Sequence, residues 1–348
     1  MLSREGPSLE IRELGSQTSD WDAFVRTSRS GSPFHLVAWK RAVEATFGHR
    51  PHYLMAVGGG GLEGVLPLFE VRGLLGGRAL VSVPYAVYGG ICAESPAARE
   101  ALLAEATALA GRLGAQYVEL RHRSGQEMDL PTKSLYVRFS RPISASEEEN
   151  LEAIPRKQRR MTRQGVKFGL RSEVGMQHLD DFYEIYASSV HNLGSPVFPR
   201  RLFHALAAEF GKECELLTVW RNDRMISGVL TLLYEDQALP YYGGALREGL
   251  QYAVNDFMYW SLMCHVAAAG YRVFDFGRSR EGTGPYNFKR HWGFEPEPLP
   301  YQYALLAGAK MPNLSPSNPK MRLAVETWKR LPLGVTKLAG PFLTRFLP

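Results

Sequence analysis

Cysteine is scarce. Cys92, Cys214 and Cys264 are the only three in 348 residues, and no two stand at metal-ligand spacing. That excludes a thiolate metal cluster and a disulfide framework, and makes a reducing compartment the simplest expectation. Acidic residues are also in deficit: 35 Asp and Glu face 41 Lys and Arg, a formal charge of +6. Such a balance favours an anionic partner, whether a phosphorylated substrate, an RNA or an anionic membrane. No uninterrupted apolar run is long enough to span a bilayer, and the N-terminal stretch MLSREGPSLEIREL has no signal-peptide core. The expected location is the cytoplasm. The tail LPLGVTKLAGPFLTRFLP is apolar but interrupted by prolines and glycines. It reads either as a strap on the protein's own surface or, through Lys337 and Arg345, as a peripheral contact at the inner face of an anionic membrane. Scattered serines and cysteines form no nucleophile motif, and His291 has no second histidine nearby in sequence. Neither a covalent enzyme intermediate nor a metal site is expected.

What the chain does have is length for about two domains, and a globular composition with 45% hydrophobic and 22% charged residues. Ser8–Leu14 is strand-like, and three apolar runs at His52–Val57, Gly64–Val71 and Arg78–Val83, separated by the glycine-rich turns GGGG and GLLGG, predict an antiparallel meander. Helices are expected after Ser19-Asp20, over Phe34–Phe47, and after the cap Ser95-Pro96, before a strand at Tyr117–His122. The same order returns later: strands at Leu216–Trp220 and Gly228–Tyr234, then Tyr242-Gly243-Gly244, a helix over Tyr252–Ala269 and a strand at Arg272–Phe276. Three segments match in sequence and in order. EGVLPLFEV at Glu63 pairs with SGVLTLLYE at Ser227, YGGICAES at Tyr88 with YGGALREG at Tyr242, and GAQYVELRHRS at Gly114 with GYRVFDFGRSR at Gly270. An internal duplication follows, giving two similar mixed α/β units. Between them, PRKQRRMTRQGVKFGLR is a helix whose Arg156, Lys157, Arg159, Arg160, Arg163 and Lys167 gather cations on a short surface, attractive to phosphates or merely solvated over a face packed through Met161 and Val166. Asp180–His191 and Pro199–Phe210 read as amphipathic helices, with Tyr183, Ile185 and Tyr186 as core, and Met321–Arg330 as a helix after the Pro-rich MPNLSPSNPK.

The chemistry is expected in FDFGRSREGTGPYNFKRHWGF, Phe274–Phe294. Here an apolar strand, which Gly277 should end, delivers Asp275 near its end and then a polar loop with Arg278, Arg280 and Glu281. A short helix follows, with Tyr286, Lys289 and Arg290 on one side and Phe288 and Trp292 on another. A lysine held beside water-excluding aromatics can steady an oxyanion. The plainer alternative is a solvated basic face, and for Asp275 a capping carboxylate.

The duplicated unit, the KQRRMTRQGVKFG helix and FDFGRSREGTGPYNFKRHWG together resemble the FemAB-like branch of the GNAT acyltransferase superfamily, most closely the subgroup accompanying exosortase (PEP-CTERM) systems. The resemblance spans most of Phe34–Tyr303. It implies an α/β (α+β) protein of two tandem GNAT-like domains, each a mixed, mostly antiparallel sheet flanked by helices. The expected boundaries are 1–143, 144–308 with the active cleft, and a basic, apolar extension at 309–348. It further implies transfer of an acyl or aminoacyl group to an amine, with a cell-envelope precursor (a peptidoglycan-type peptide or an exopolysaccharide sugar) as acceptor and aminoacyl-tRNA as donor. The family's Phe-Lys pair falls on Phe288-Lys289, with Lys289 the leading catalytic candidate and Asp275 or Glu281 candidates for the proton. The resemblance implies Tyr242, Gly243 and Phe288, with Arg156, Arg159, Arg160 and Arg163, as substrate contacts; Tyr286 is a further substrate-binding candidate, and Arg278 and Arg280 either bind substrate or pair with Asp275 and Glu281. No tightly bound cofactor or metal is expected. ALREGLQYAVND lacks the glycine-rich pyrophosphate loop of CoA-dependent members, and the helical hairpin of some tRNA-dependent relatives is absent. An acyl-CoA or acyl-carrier-protein donor, or a noncatalytic binding module, are the alternatives.

Overall fold

The computed structural model describes residues 9–16, 18–73, 76–123, 128–312 and 319–347. Ser8, part of the turn Gly73–Gly77 and most of the Pro-rich segment after Pro312 lie outside them. Two compact units are present. The first comprises Met1–Leu135, Pro298–Asn313 and Arg345–Pro348; the second, Tyr136–Glu297 and Leu314–Thr344.

In the first unit, β1 (Glu10–Glu13), β2 (Arg50–Gly58), β3 (Gly61–Arg72) and β4 (Arg78–Val81) pair antiparallel in order, with α1 (Ser19–Thr27) and α2 (Val37–Phe47) between β1 and β2. The short strand β5 (Cys92–Ala93) pairs with β3. Ser95 then caps α3 (Pro96–Arg112), its hydroxyl oxygen accepting the Ala98 N–H at 3.1 Å, and β6 (Tyr117–Leu120) returns parallel to β4. Beyond Val81 the chain turns inward, and all of residues 82–90 are buried. The Ser82 N–H donates to the Glu119 carbonyl at 2.8 Å, and the Gly89 N–H to the Arg121 carbonyl at 2.8 Å. The buried Arg121 guanidinium donates to Glu119 at 2.7 Å and to the carbonyls of Val83 and Ala86 at 3.2 and 3.1 Å. Val83 and Tyr85 hold positive φ of 63° and 65°, unusual for any side chain and strained for a β-branched one, so this plug is held against its local preference.

The second unit repeats the plan. Its strands are β7 (Thr132–Pro142), β8 (Leu170–Val174), β9 (Cys214–Arg221), β10 (Arg224–Tyr234), β11 (Gln237–Ala245) and β12 (Val273–Arg280). The order is β7-β12-β11-β10-β9-β8, antiparallel except for β11 against β12. Its helices are α4 (Glu147–Glu152), α5 (Arg156–Lys167), α6 (Leu179–Leu193), α7 (Arg200–Phe210), α8 (Val254–Ala268) and α9 (Gly284–His291). Consecutive residues of β11 point to opposite faces, which places the two main helices. A Cβ on Gly244 would sit 2.8 Å from the backbone of Tyr186 on α6, while one on Gly243 would sit 3.2 Å from the Tyr259 hydroxyl on α8. Helices α6 and α8 therefore cover opposite faces. The last strand, β13 (Glu297–Leu305), pairs with β6, and α10 (Pro319–Arg330) and α11 (Leu333–Thr344) pack on α6. No helix among the described residues is long and apolar enough to cross a membrane.

Both units thus run meander and then parallel partner, as the repeat implied. The units do not follow the expected boundaries at 143 and 308. Strand β7 follows β6 in sequence yet pairs with β12, and β13 follows β12 yet pairs with β6, so each sheet is closed by a strand lying outside the simple duplication. Strands β7, β8 and β13 have no counterpart in the sequence reading, and β12 runs past Gly277 to Arg280. Helix α5 buries Gln158, Thr162 and Gly165, with Met161 half-buried and Val166 exposed, so of the expected packing pair only Met161 lies toward the packed face. A Cβ on Gly165 would meet Phe257 of α8 at 2.7 Å, and this close approach sets the helix's rotation.

Replacing Arg121 by Leu leaves Glu119 buried without its guanidinium and strips two carbonyls of their donor. The expected loss in urea-denaturation stability is about 3–5 kcal/mol. A loss below about 1 kcal/mol would mean the plug does not depend on this pair.

Candidate active site

Strands β11 and β12 are laddered only at Gln237 with Val273 and Ala238 with Phe274. Both run on for several residues, and beyond Ala238 β11 stays with β10 while β12 stays with β7. The two parallel strands therefore splay, and the backbone groups facing the opening lack a partner strand. A cavity of about 510 Å³ occupies this wedge. Gly243, Gly244 and Ala245 line it from β11, and Phe276 from β12. Helix α8 contributes Asn255, Met258 and Tyr259; α9 contributes Phe288 and Lys289. In the first unit the corresponding position beyond the β4–β6 ladder is filled by residues 82–90.

The wedge wall at β12 is bulged. Asp275 pairs with Ser140 and Arg278 with Arg138, so Phe276 and Gly277 together face the single residue Phe139. Gly277 takes φ +64°, which glycine adopts without strain. The carboxylate of Asp275, 1% exposed, accepts the Gly277 N–H at 2.7 Å. From α9, the Lys289 ammonium donates to the carbonyls of Phe276 at 2.7 Å, Arg278 at 3.0 Å and, at longer range, Gly277 at 3.5 Å. It also lies 5.6 Å from the ring centre of Phe139. Burial pushes the Lys289 pKa down to about 7, with the nearby Asp275 carboxylate pulling it up and Arg278 pushing it further down.

Of the residues singled out in sequence, the cavity brings together Gly243, Phe288 and Lys289. Asp275 sits behind the bulge, in the capping role that was its alternative reading. Glu281 is exposed on the turn before α9, and Arg278 stacks its guanidinium 4.5 Å from the Tyr136 ring. Arg280 is half-buried, with its carbonyl accepting the Thr283 hydroxyl at 2.6 Å. Tyr286 is buried edge-on against Phe139, and Tyr242 points to the α6 face among Tyr186, Phe198 and Phe203. Arg156, Arg159, Arg160 and Arg163 lie on α5 and do not line the cavity. Tyr259 was missed. It stands in an α8 that is apolar on nearly every side, so no periodicity separates it from core. Its hydroxyl forms no hydrogen bond among the described residues, and burial pushes the phenol up to about 12, leaving it a neutral donor at pH 7.

Residues 150–290 match the family model described as Acetyltransferase (GNAT) domain. In fold the chain is similar to the crystal structure of FemX, with 15% identity and a TM-score of 0.67 over 85% of this chain and 97% of that one. It is also similar to a tandem GNAT protein from the clavulanic acid biosynthesis pathway, at 14% identity and TM-score 0.56 over 87% of this chain and 100% of that one. A third likeness is to the C-terminal domain of a protein described as a lysylphosphatidylglycerol synthetase from Agrobacterium fabrum, at 14% identity and TM-score 0.57 over 82% of this chain and 91% of that one. A search of curated proteins found no match to the sequence. At these identities the likenesses speak for the fold, two tandem GNAT-like units.

A GNAT fold implies an acyl-CoA cosubstrate, and the second unit can be tested for a diphosphate cradle. Between β11 and α8 lies a 3-10 turn, Arg247–Tyr252, in place of an open glycine loop. Gly249 is buried, and a Cβ there would meet Val254 at 3.3 Å and Ile226 at 3.5 Å. Asp256 occupies the first turn of α8, where its own charge opposes an anion, and its carboxylate accepts the Trp292 indole N–H at 3.0 Å. These residues do not fit a diphosphate at that helix end. Among the described residues, no three His, Cys, Asp or Glu side chains converge as a metal site.

Lys289 keeps its proton to about pH 10.5 in the unfolded chain but releases it near 7 when folded. The unfolded chain therefore binds more protons between these values, and this group makes stability rise with pH across that window. Lys289→Met should lack that rise, a difference of ~3 kcal/mol between pH 6.5 and 9.5 in urea midpoints compared with the unmodified chain. Parallel pH curves for the two proteins would refute the depressed pKa.

Proposed function

We propose that the wedge of the second unit is an acyltransferase site that joins an activated acyl or aminoacyl group to an amine. The observation that carries this is the splayed pair β11–β12, whose unladdered backbone edge opens into a cavity shared by a lysine poised near neutrality and an unbonded tyrosine hydroxyl. In this reading the acyl carbonyl lies along β11, where backbone N–H groups offset the charge developing on its oxygen. Lys289 is not the main oxyanion donor, because its protons are committed to the carbonyls of the bulge. In its neutral form it takes the proton released as the amine nitrogen bonds to the acyl carbon. The bond from carbon to the leaving oxygen or sulfur then breaks, and Tyr259 gives that atom a proton. Transfer of the proton from Lys289 to Tyr259 restores both groups.

The acceptor is an amine of a cell-envelope precursor, a peptidoglycan-type peptide or an exopolysaccharide amino sugar. The FemAB-like resemblance supports this class, and the fold likeness to FemX is consistent with it. For the donor, the misfit to a diphosphate cradle favours an aminoacyl-tRNA ester or an acyl-carrier-protein thioester over acyl-CoA.

The test is incubation with aminoacyl-tRNAs, acyl-carrier-protein thioesters and acyl-CoAs in the presence of envelope-precursor amines, with products weighed by mass spectrometry. Amide-bonded product is expected, and Tyr259→Phe should lower kcat about 100-fold while KM changes less than about threefold. Binding of a precursor without turnover from any donor would instead make the unit a noncatalytic module.

A further inference from the structure

Helix α5 remains outside the wedge chemistry. Arg156, Arg160, Arg163 and Lys167 recur at spacings of four, three and four, which puts them in one stripe along the helix, opposite the buried Gln158, Thr162 and Gly165. All four are exposed, as is Lys157, and none forms a hydrogen bond or ion pair among the described residues. The glutamates of the preceding α4, Glu147, Glu148, Glu149 and Glu152, form no ion pair among the described residues. Like charges at these spacings weaken a helix by a few tenths of a kilocalorie each, so the stripe is kept at a cost in stability.

Beside the cations stand apolar tips. Val166 is 61% exposed, Phe168 41% and Leu250 52%. The Phe168 ring packs 5.4 Å from that of Tyr252, and the Arg221 guanidinium lies 4.1 Å over the same tyrosine. Tyr252 and Leu250 belong to the 3-10 turn Arg247–Tyr252, whose Arg247 and Leu250 line the wedge. Cations and apolar side chains therefore share a surface that runs from α5 to the mouth of the cavity.

We propose that this surface docks on an anionic lipid bilayer, with the stripe at the headgroups and Val166, Phe168 and Leu250 at the boundary with the acyl chains. A phosphate-rich nucleic acid would satisfy the arginines but gives Val166 and Leu250 nothing to bury against. A bilayer satisfies both. Docking brings the wedge mouth to the lipid surface, where an acceptor anchored in the membrane would present its amine; that last step alone rests on the acyltransferase reading.

The experiment is cosedimentation of the full chain with vesicles of phosphatidylcholine alone, or of phosphatidylcholine and phosphatidylglycerol at a ratio of about 3:1, at low and high salt and without any acyl donor. Binding is expected only to the vesicles containing phosphatidylglycerol, and it should weaken with salt. The pair R160E/R163E should lower apparent affinity roughly 100-fold or more, and V166S/F168S about tenfold with the salt dependence retained. Both pairs lie on exposed positions, and an unchanged thermal midpoint confirms folding. Vesicle binding unaffected by R160E/R163E overturns the proposal. So does a protein that stays in the supernatant with all vesicles, whether it retains structured RNA on a filter or binds neither. Because no transfer is measured, failure here leaves the wedge chemistry standing, and failure of the transfer assay leaves docking standing.

Discussion

The second unit depends on how the backbone of β12 is satisfied once β11 has turned away. A bulge opposite Phe139 interrupts the ladder with β7 as well at Phe276 and Gly277, and the carbonyls of Phe276, Gly277 and Arg278 converge on the Lys289 ammonium. An ammonium has three donors and no acceptor, which matches three carbonyls and nothing else in the side-chain repertoire as compactly. Burying a charge costs several kilocalories, while each charged hydrogen bond returns about 1.5–3 kcal/mol, so the two nearly offset. That balance is what leaves Lys289 near neutrality at physiological pH, and it ties the chemistry of the site to the geometry of its wall.

The first unit shows what happens to the same plan when the gap is closed. Its parallel pair continues into a plug in which Arg121 plays the part of Lys289, an interior cation holding loop carbonyls, but with Glu119 to neutralise it. The strained backbone at Val83 and Tyr85 persists because the surrounding bonds fix it. Duplication thus gave two copies of one plan, of which one is filled and the other keeps an opening. The likeness to tandem GNAT structures is consistent with that division.

Much of this was legible in the chain. The repeat is visible because EGVLPLFEV and SGVLTLLYE both become central strands, whose burial on two faces demands continuous apolar runs. Lys289 stood out through its aromatic neighbours. Its partners did not, because a β-bulge is set by pairing between distant strands, and β7 lies more than a hundred residues from β12 in sequence. Gly277 carried the right signal, an interruption, but sequence could not tell a strand end from a strand that bends and continues. Strand β13 was missed because nine residues of ordinary composition acquire their meaning only from pairing with β6. Tyr259 was hidden for the opposite reason, in a helix so apolar that every face looks like core.

The start of α8 bears on the donor. In a phosphate-binding fold the free amides of such a helix meet the ligand's negative charge, and the helix dipole adds to the attraction. Here Asp256 already supplies a negative charge in that turn, and its bond with Trp292 ties the carboxylate to the end of α9, the helix that carries Lys289. The positive end of α8 is therefore used to brace α9. In the proposed acyl transfer a donor's charge is met elsewhere, and apart from Lys289 the one cation lining the cavity among the described residues is Arg247, on the turn that also carries Leu250 to the surface. The proposal accordingly assigns donor recognition to the mouth of the wedge, where a large carrier rests outside while only its acyl group enters.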